Sequence, residues 1–191
     1  MSRRNYQRPI GKRKLKRLFV LSTEGSITEP QYFGIFNNDT TVLQVKVLKH
    51  KGSAPEKVLH EMEQFLRTQD LRKNDEAWLV VDKDSWTDAQ LNLLHQWSLK
   101  NAKYNLAVSN PKFEYWLLLH FEEGNGVSSS QNCSNRLKKV LPKYDKCIHA
   151  NQVLHGVEDA VLRAKRRDTP PCRDWPRNVG TTVYKLVSRI I

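Results

Sequence analysis

Four short apolar runs alternate with four segments of helical period, and this alternation constrains the fold more than any other feature of the chain. The runs are Leu18-Phe19-Val20-Leu21, the stretch carrying Val42, Leu43, Val45, Val47 and Leu48, then Ala77-Trp78-Leu79-Val80-Val81, and Leu106-Ala107-Val108-Ser109. The first and third are short continuous apolar runs that read as strands buried on both faces, and the second and fourth read as strands beside them. Between them, Thr28 is placed to cap a helix over Glu29-Pro30-Gln31, with Tyr32, Phe33 and Phe36 on one face. A second helix starts at Ser53 or Ala54 and runs to about Leu71, with Val58, Leu59, Met62, Phe65 and Leu66 at helical spacing. A third starts at Thr87 or Asp88 and carries Leu91, Leu94 and Trp97, and Pro111 opens a fourth with Phe113, Trp116, Leu117, Leu119 and His120. Strands that alternate with helices predict an α/β fold: a four-stranded, mainly parallel sheet flanked by helices.

Beyond residue 121 the pattern changes. Residues 122–131 are rich in Gly, Ser and Asn and read as a surface loop, and helical segments follow near 132–141, 152–167 and 181–191. The expected division is a flexible basic arm over 1–16, an α/β core over 17–121, and a helical C-terminal extension over 122–191 packed on that core. A length of 191 residues suits this, at roughly 150 residues per domain. The apolar C-terminal stretch Val183, Leu186, Val187, Ile190 and Ile191 covers either the core or a second copy of the chain, so a homo-oligomer is left open.

The net charge of +12 is concentrated at the ends. Residues 1–17 contribute +8, residues 161–191 contribute +6, and the long middle is slightly acidic at −2. Basic ends suit a polyanion, through contacts with phosphates and release of counterions. Arg13, Lys14 and Lys16 in the first block, and Arg166, Arg167 and Arg177 in the last, are the candidate nucleic-acid contacts. A solubilising tail is the plain alternative for residues 1–14.

The longest apolar run is five residues, Tyr115 to Leu119, so no transmembrane helix and no membrane association is expected. The basic N-terminus leads into no secretory signal. Three cysteines (Cys133, Cys147, Cys172), odd in number and without CxxC spacing, suggest a reducing compartment, hence a cytoplasmic protein.

In open parallel sheets, functional groups gather at the carboxyl ends of strands. Three such ends carry candidates: Glu24-Gly25, Asp82-Lys83-Asp84, and Ser109-Asn110-Pro111-Lys112-Phe113-Glu114. Residues two apart in a strand share a face, so Asp82 and Asp84 project together if the extended geometry holds that far. Paired carboxylates suit Mg²⁺ or Mn²⁺, and one ion, or two, would activate water for phosphodiester chemistry. Glu24, beside that space, is placed to ligate metal or move a proton. Asp at a strand end also caps helices, and it is the conjunction with Glu24-Gly25 that favours a site. Lys83 and Lys112 are placed to contact phosphate.

Other candidates are weaker. Lys51-Gly52-Ser53 is a turn rather than a P-loop. The aromatic and basic tract from Asn110 to Trp116 suits base stacking, but its spacing suits core packing as well. His120, His149 and His155 with Cys133 and Cys147 lack zinc spacing, and His120 reads as a core residue.

The residues at the strand ends carry a resemblance. An apolar strand ending in Glu24-Gly25, with Asp82-Lys83-Asp84 two strands later, resembles the TOPRIM domain of topoisomerases, primases and OLD-type nucleases. More closely, the string from Glu24 through Glu29-Pro30-Gln31-Tyr32-Phe33, the string from Ser109 to Phe121, and Thr181-Thr182-Val183-Tyr184-Lys185-Leu186-Val187 are similar to the RloB-like family. The similarity spans about Arg17 to Ile191. It implies a TOPRIM-like, Rossmann-like core in which Glu24 is the acid/base and Asp82 and Asp84 bind Mg²⁺. Glu114, Asn110 and Glu29 fit the family's polar signatures, with Glu114 taken as a catalytic candidate and Asn110 as a nucleic-acid contact. RloB-like proteins occur in prokaryotic restriction and phage-defence loci, often near a partner ATPase. The expected function is therefore an Mg²⁺-dependent nuclease acting on DNA or RNA in anti-phage defence. The alternative is a non-catalytic nucleic-acid-binding or adaptor subunit working with that ATPase.

Overall fold

The first strand, β1 (Arg17–Thr23), is buried from Phe19 to Thr23 and lies inside the sheet, with a neighbouring strand on each side. A computed structural model describes residues 16–37, 43–48, 55–84 and 86–191 of the chain. Arg13, Lys14, Val42 and the Lys51-Gly52-Ser53 turn lie outside the described residues.

After β1 come α1 (Thr28–Gly34), β2 (Leu43–Leu48), α2 (Pro55–Thr68), β3 (Glu76–Asp82), α3 (Asp88–Ser98), β4 (Tyr104–Asn110) and α4 (Phe113–Leu118). The C-terminal part contributes α5 (Ser130–Val140), α6 (Ala150–Val153), a 3-10 turn at Leu154–Gly156, α7 (Val157–Arg167), β5 (Gly180–Thr181) and α8 (Val183–Ile190). The sheet order is β2-β1-β3-β4-β5. Strands β1 to β4 are parallel, and β5 runs antiparallel to β4 with Thr181 opposite Ser109.

The fold is thus α/β with five strands, not four. The extra strand comes from the segment expected to be wholly helical. Two residues carry no readable period, so β5 is set by its partners instead. Thr182 N–H donates to Val108 O at 2.9 Å, the Thr182 hydroxyl accepts Val108 N–H at 2.8 Å, and the Ser109 and Thr181 hydroxyls are 2.9 Å apart.

The chain winds outward from β1 to β2, then crosses back to β3 on the other side. With right-handed crossovers, such a reversal puts the connecting helices on opposite faces. On one face Phe19, Leu21, Trp78 and Val80 pack with Tyr32 and Phe33 of α1, with α4, and with α5, α7 and α8. On the other, Val20, Leu79 and Val81 pack with Val58 and Met62 of α2 and Leu91, Leu94 and Trp97 of α3. Strand alternation carries through to the strand end, so Asp82 belongs with Trp78 and Val80 on the α1 and α4 face.

Helix ends differ in how they are held. Thr87 caps α3 in a capping box with Gln90. Thr28 does not cap α1 but is its first residue, and its hydroxyl donates to Lys146 O at 2.9 Å. Val183, Leu186, Val187 and Ile190 of α8 are buried within the chain, while Ile191 is exposed. Among the described residues no helix is long and apolar enough to cross a membrane.

Candidate active site

Where the strand order reverses between β1 and β3, the helices that follow the two strands, α1 and α3, leave on opposite faces of the sheet and open a crevice, the usual ligand position in such sheets. Here it is a cleft of about 190 Å³. Its lining includes the carboxylates Glu24, Glu29, Asp82 and Glu114, together with Lys146.

Glu24 follows β1. Its N–H donates to Val80 O at 2.9 Å, which extends the β1–β3 pairing by one residue. Its carboxylate accepts Asp82 N–H at 2.9 Å and Trp86 Nε1–H at 3.1 Å. Burial pushes the Glu24 carboxyl up to about 7, aided by the charges of Glu29 and Asp84 and opposed by those two hydrogen bonds. Asp82 ends β3, and burial, followed by the negative charges of Glu29, Glu24, Glu114 and Asp84, holds its carboxyl well above the usual range.

Glu29 lies in the first turn of α1 and is 5% exposed. Its carboxylate accepts Gly25 N–H at 3.0 Å. Burial again raises its pKa most, Glu114 adds to the rise, and Lys146 opposes it. A Cβ on Gly25 would lie 1.9 Å from Glu29 Oε2, so the glycine of the Glu24-Gly25 turn makes room for this carboxylate. Glu114, in the first turn of α4, accepts the Tyr144 hydroxyl at 3.1 Å.

Asp84 does not line the cleft. Strand β3 ends at Asp82, and the chain turns at Lys83 and Asp84, whose N–H groups donate to Ser109 O and Pro111 O at 2.8 and 3.0 Å. The alternation that would bring Asp84 beside Asp82 therefore lapses, and its exposed carboxylate accepts the Ser130 hydroxyl at 3.0 Å. Its charge still reaches Glu24 and Asp82.

Several of the expected phosphate contacts hold partners within the chain. Lys83 Nζ pairs with Asp88 at 2.9 Å, and Lys112 Nζ donates to the Ser134 hydroxyl at 2.6 Å. Asn110 Nδ2 donates to Pro176 O and Arg177 O, both at 3.1 Å, and so holds the approach to β5. Arg177 pairs with Asp174 at 2.6 Å and lies 4.1 Å from the Trp175 ring centre. Arg166 pairs with Glu123 at 3.4 Å, and Arg167 donates to Glu123 O at 2.9 Å. Lys16 precedes β1, at the end of the sheet away from the cleft.

The donor chemistry of the cleft, carboxylate oxygen throughout, fits a hard divalent cation. Among the described residues, however, no three His, Cys, Asp or Glu side chains are drawn together closely enough to hold an ion between them. Glu29 fitted the family's polar signatures without a role of its own, and nothing in the sequence pointed to Lys146, which reaches the cleft from the α5–α6 connection.

A family model described as RloB-like protein matches residues 19–190. No curated protein and no solved structure matches the chain.

Proposed function

The chain belongs to the RloB-like protein family, and from that premise and its acidic cleft we propose a metal-dependent nuclease of TOPRIM-like type, acting on DNA or RNA in anti-phage defence. One observation carries the reading: Glu24, Glu29, Asp82 and Glu114, from three separate parts of the chain, line a single cleft at the switch point of the sheet. Crowding four carboxylates into one cleft, Glu29 buried and the other three half-buried, is unfavourable unless a cation or protons offset their charge.

Asp82 and Glu24 would hold Mg²⁺ or Mn²⁺, with Glu29 and Glu114 beside them and Asp84 adding negative charge at the rim. The ion would supply Lewis acidity toward a phosphate oxygen and a lowered pKa for water. Glu24, pushed up to about 7, is suited to accept and return a proton at its carboxylate near neutral pH. The indole of Trp86 and the N–H of Asp82 fix the orientation of that carboxylate. An acidic cleft repels a polyanion, so long-range attraction falls to the basic ends of the chain.

A second reading is an adaptor that binds nucleic acid beside a partner ATPase without cutting it. The observation that favours it is the lack of converged ligands among the described side chains. The two readings part on cleavage of DNA and RNA panels with Mg²⁺ or Mn²⁺, beside Asp82→Asn and Glu24→Gln. Metal-dependent cutting lost in both variants supports the enzyme. Binding without cutting by a folded wild-type protein, alone and with its ATPase, supports the adaptor.

A further inference from the structure

Lys146 is the only Lys or Arg among the described residues that line the cleft. It sits on the connection between α5 and α6, which the structure fastens down at several points. Leu141 and Ile148 are each 7% exposed and anchor the segment in the core. Ile148 N–H donates to Gln31 Oε1 at 2.8 Å, the Tyr144 hydroxyl donates to Glu114, and Lys146 O accepts the Thr28 hydroxyl at 2.9 Å. The segment is thus a strap tied across the start of α1 and the start of α4, the two elements that bring Glu29 and Glu114 to the cleft.

At its crest Lys146 takes φ +78°, a conformation that glycine adopts freely and a side-chain-bearing residue adopts at a cost. Its ammonium forms no salt bridge with another described residue, whereas Lys83, Arg136, Arg163 and Arg177 all do. Four carboxylates and one ammonium line the cleft, so the cation that the protein itself can set against an entering phosphodiester is Lys146.

We infer that Lys146 is the residue that grips the substrate phosphate, and that the strap exists in this form to present it. The inference rests on the nuclease reading and deepens it: the substrate's phosphate is held between the strap and the carboxylates. A lysine suits this role because it is a compact charge with three donors on a flexible stem.

The test compares wild type, Lys146→Gln and Lys146→Arg as full-length chains. Binding of a labelled single-stranded oligonucleotide is followed by fluorescence anisotropy in Ca²⁺ across a salt series, and Mn²⁺ affinity is measured separately by titration calorimetry. Lys146→Gln is expected to weaken oligonucleotide binding about tenfold and to reduce the salt slope by about one. Lys146→Arg should stay within about threefold of wild type, since it keeps the charge. Mn²⁺ affinity should hold or rise, because a cation has left the carboxylates. Thermal unfolding confirms that each variant is folded.

Oligonucleotide binding unchanged in Lys146→Gln overturns the inference and leaves the nuclease reading standing. A parallel fall in Mn²⁺ affinity also overturns it, because the lysine would then be supporting the cleft rather than the substrate. A wild-type protein that binds no oligonucleotide at any salt removes both readings together.

Discussion

The carboxylate of Glu24 accepts the backbone N–H of Asp82 at 2.9 Å, joining the turn after β1 to the last residue of β3. The two acids are 58 residues apart in sequence and adjacent in space because β1 and β3 are neighbours in the sheet. The bond uses the backbone of Asp82, not its side chain, so both carboxylates keep capacity to bind something else. It also makes the position of Glu24 depend on the register of β1 against β3, where Thr23 pairs with Val80.

Gly25→Ala should disturb the site through Glu29. The added methyl would meet Glu29 Oε2 at 1.9 Å, and Glu29, 5% exposed, has little room to withdraw. Losing its bond to Gly25 N–H leaves a part-buried donor unpaired, so a loss of about 1–3 kcal/mol is expected. A double-mutant cycle by denaturant unfolding isolates the cause. In a Glu29→Ala background the same glycine substitution should cost clearly less. Equal costs in the two backgrounds would mean that Glu29 is not what the glycine accommodates.

The pH dependence of stability should bear the mark of the cleft. Glu24 rises from 4.5 to about 7 on folding, so between those values the folded state keeps a proton that the unfolded state has released. Stability from this group is therefore complete below about 4.5 and is lost as pH rises through about 7. Glu29 and Asp82, also raised, act in the same direction. His120 opposes them: burial lowers it from 6.5 to about 4, so its contribution grows as pH rises across that interval. The difference between wild type and Glu24→Gln removes the histidine from the comparison. Relative to wild type, Glu24→Gln should gain about 1–3 kcal/mol between pH 5 and pH 8. Mn²⁺ should raise the wild-type Tm more at pH 8 than at pH 5.5. Parallel stability curves for the two proteins would contradict the assignment of Glu24.

Strands β1, β3 and β4 were legible in the sequence because each carries a short apolar run buried on both faces, and the edge strand β2 was legible from Leu43, Val45, Val47 and Leu48 although Gln44 and Lys46 interrupt the run. Strand β5 was not, since two residues held by Thr181, Thr182 and Ser109 hydroxyls have no period to detect. Glu24 and Asp82 stood out because each follows an apolar strand. Asp84 looked equivalent to Asp82 only while the extended geometry was assumed to continue, and β3 stops two residues short of it. Lys83 and Lys112 were reasonable phosphate contacts by proximity in sequence, but their ammonium groups turn to Asp88 and Ser134. Lys146 sits more than a hundred residues from Glu24, in a connection without regular structure, and only tertiary packing brings it to the cleft.

Gly156→Ala should destabilise the packing behind the site. A Cβ there would lie 2.3 Å from the carbonyl oxygen of His120, and a backbone atom cannot rotate away. His120 is itself fixed, with Nδ1 at 3.0 Å from Trp116 O and Nε2 at 3.1 Å from the Tyr32 hydroxyl. The expected loss is about 1–3 kcal/mol, or roughly 2–12 °C in Tm for a chain of this size. Gly34→Ala is the matched control, because nothing lies within 4 Å of its added methyl. If both variants melt with wild type, the approach of α7 to the end of α4 is looser than described.

Removing residues 1–14 should separate affinity from chemistry. The segment holds six basic residues, Arg3, Arg4, Arg8, Lys12, Arg13 and Lys14, and no acid. It lies outside the described residues, and its expected role rests on charge alone. Each phosphate contact on duplex DNA contributes about 0.9 to the salt slope, so full engagement of the six would lower that slope by about five on deletion. Oligonucleotide binding at low salt should weaken strongly, and the loss should shrink as salt rises and screens the contacts. Mn²⁺ affinity should be unchanged, because the carboxylates of the cleft belong to the turn after β1 and to α1, β3 and α4. The measurement is anisotropy across a salt series for the full and shortened chains, with Mn²⁺ titration of both. A slope that does not change on deletion would make the arm a solubilising tail. A fall in Mn²⁺ affinity would mean that the arm reaches into the cleft and that charge and chemistry are not divided between the ends and the core.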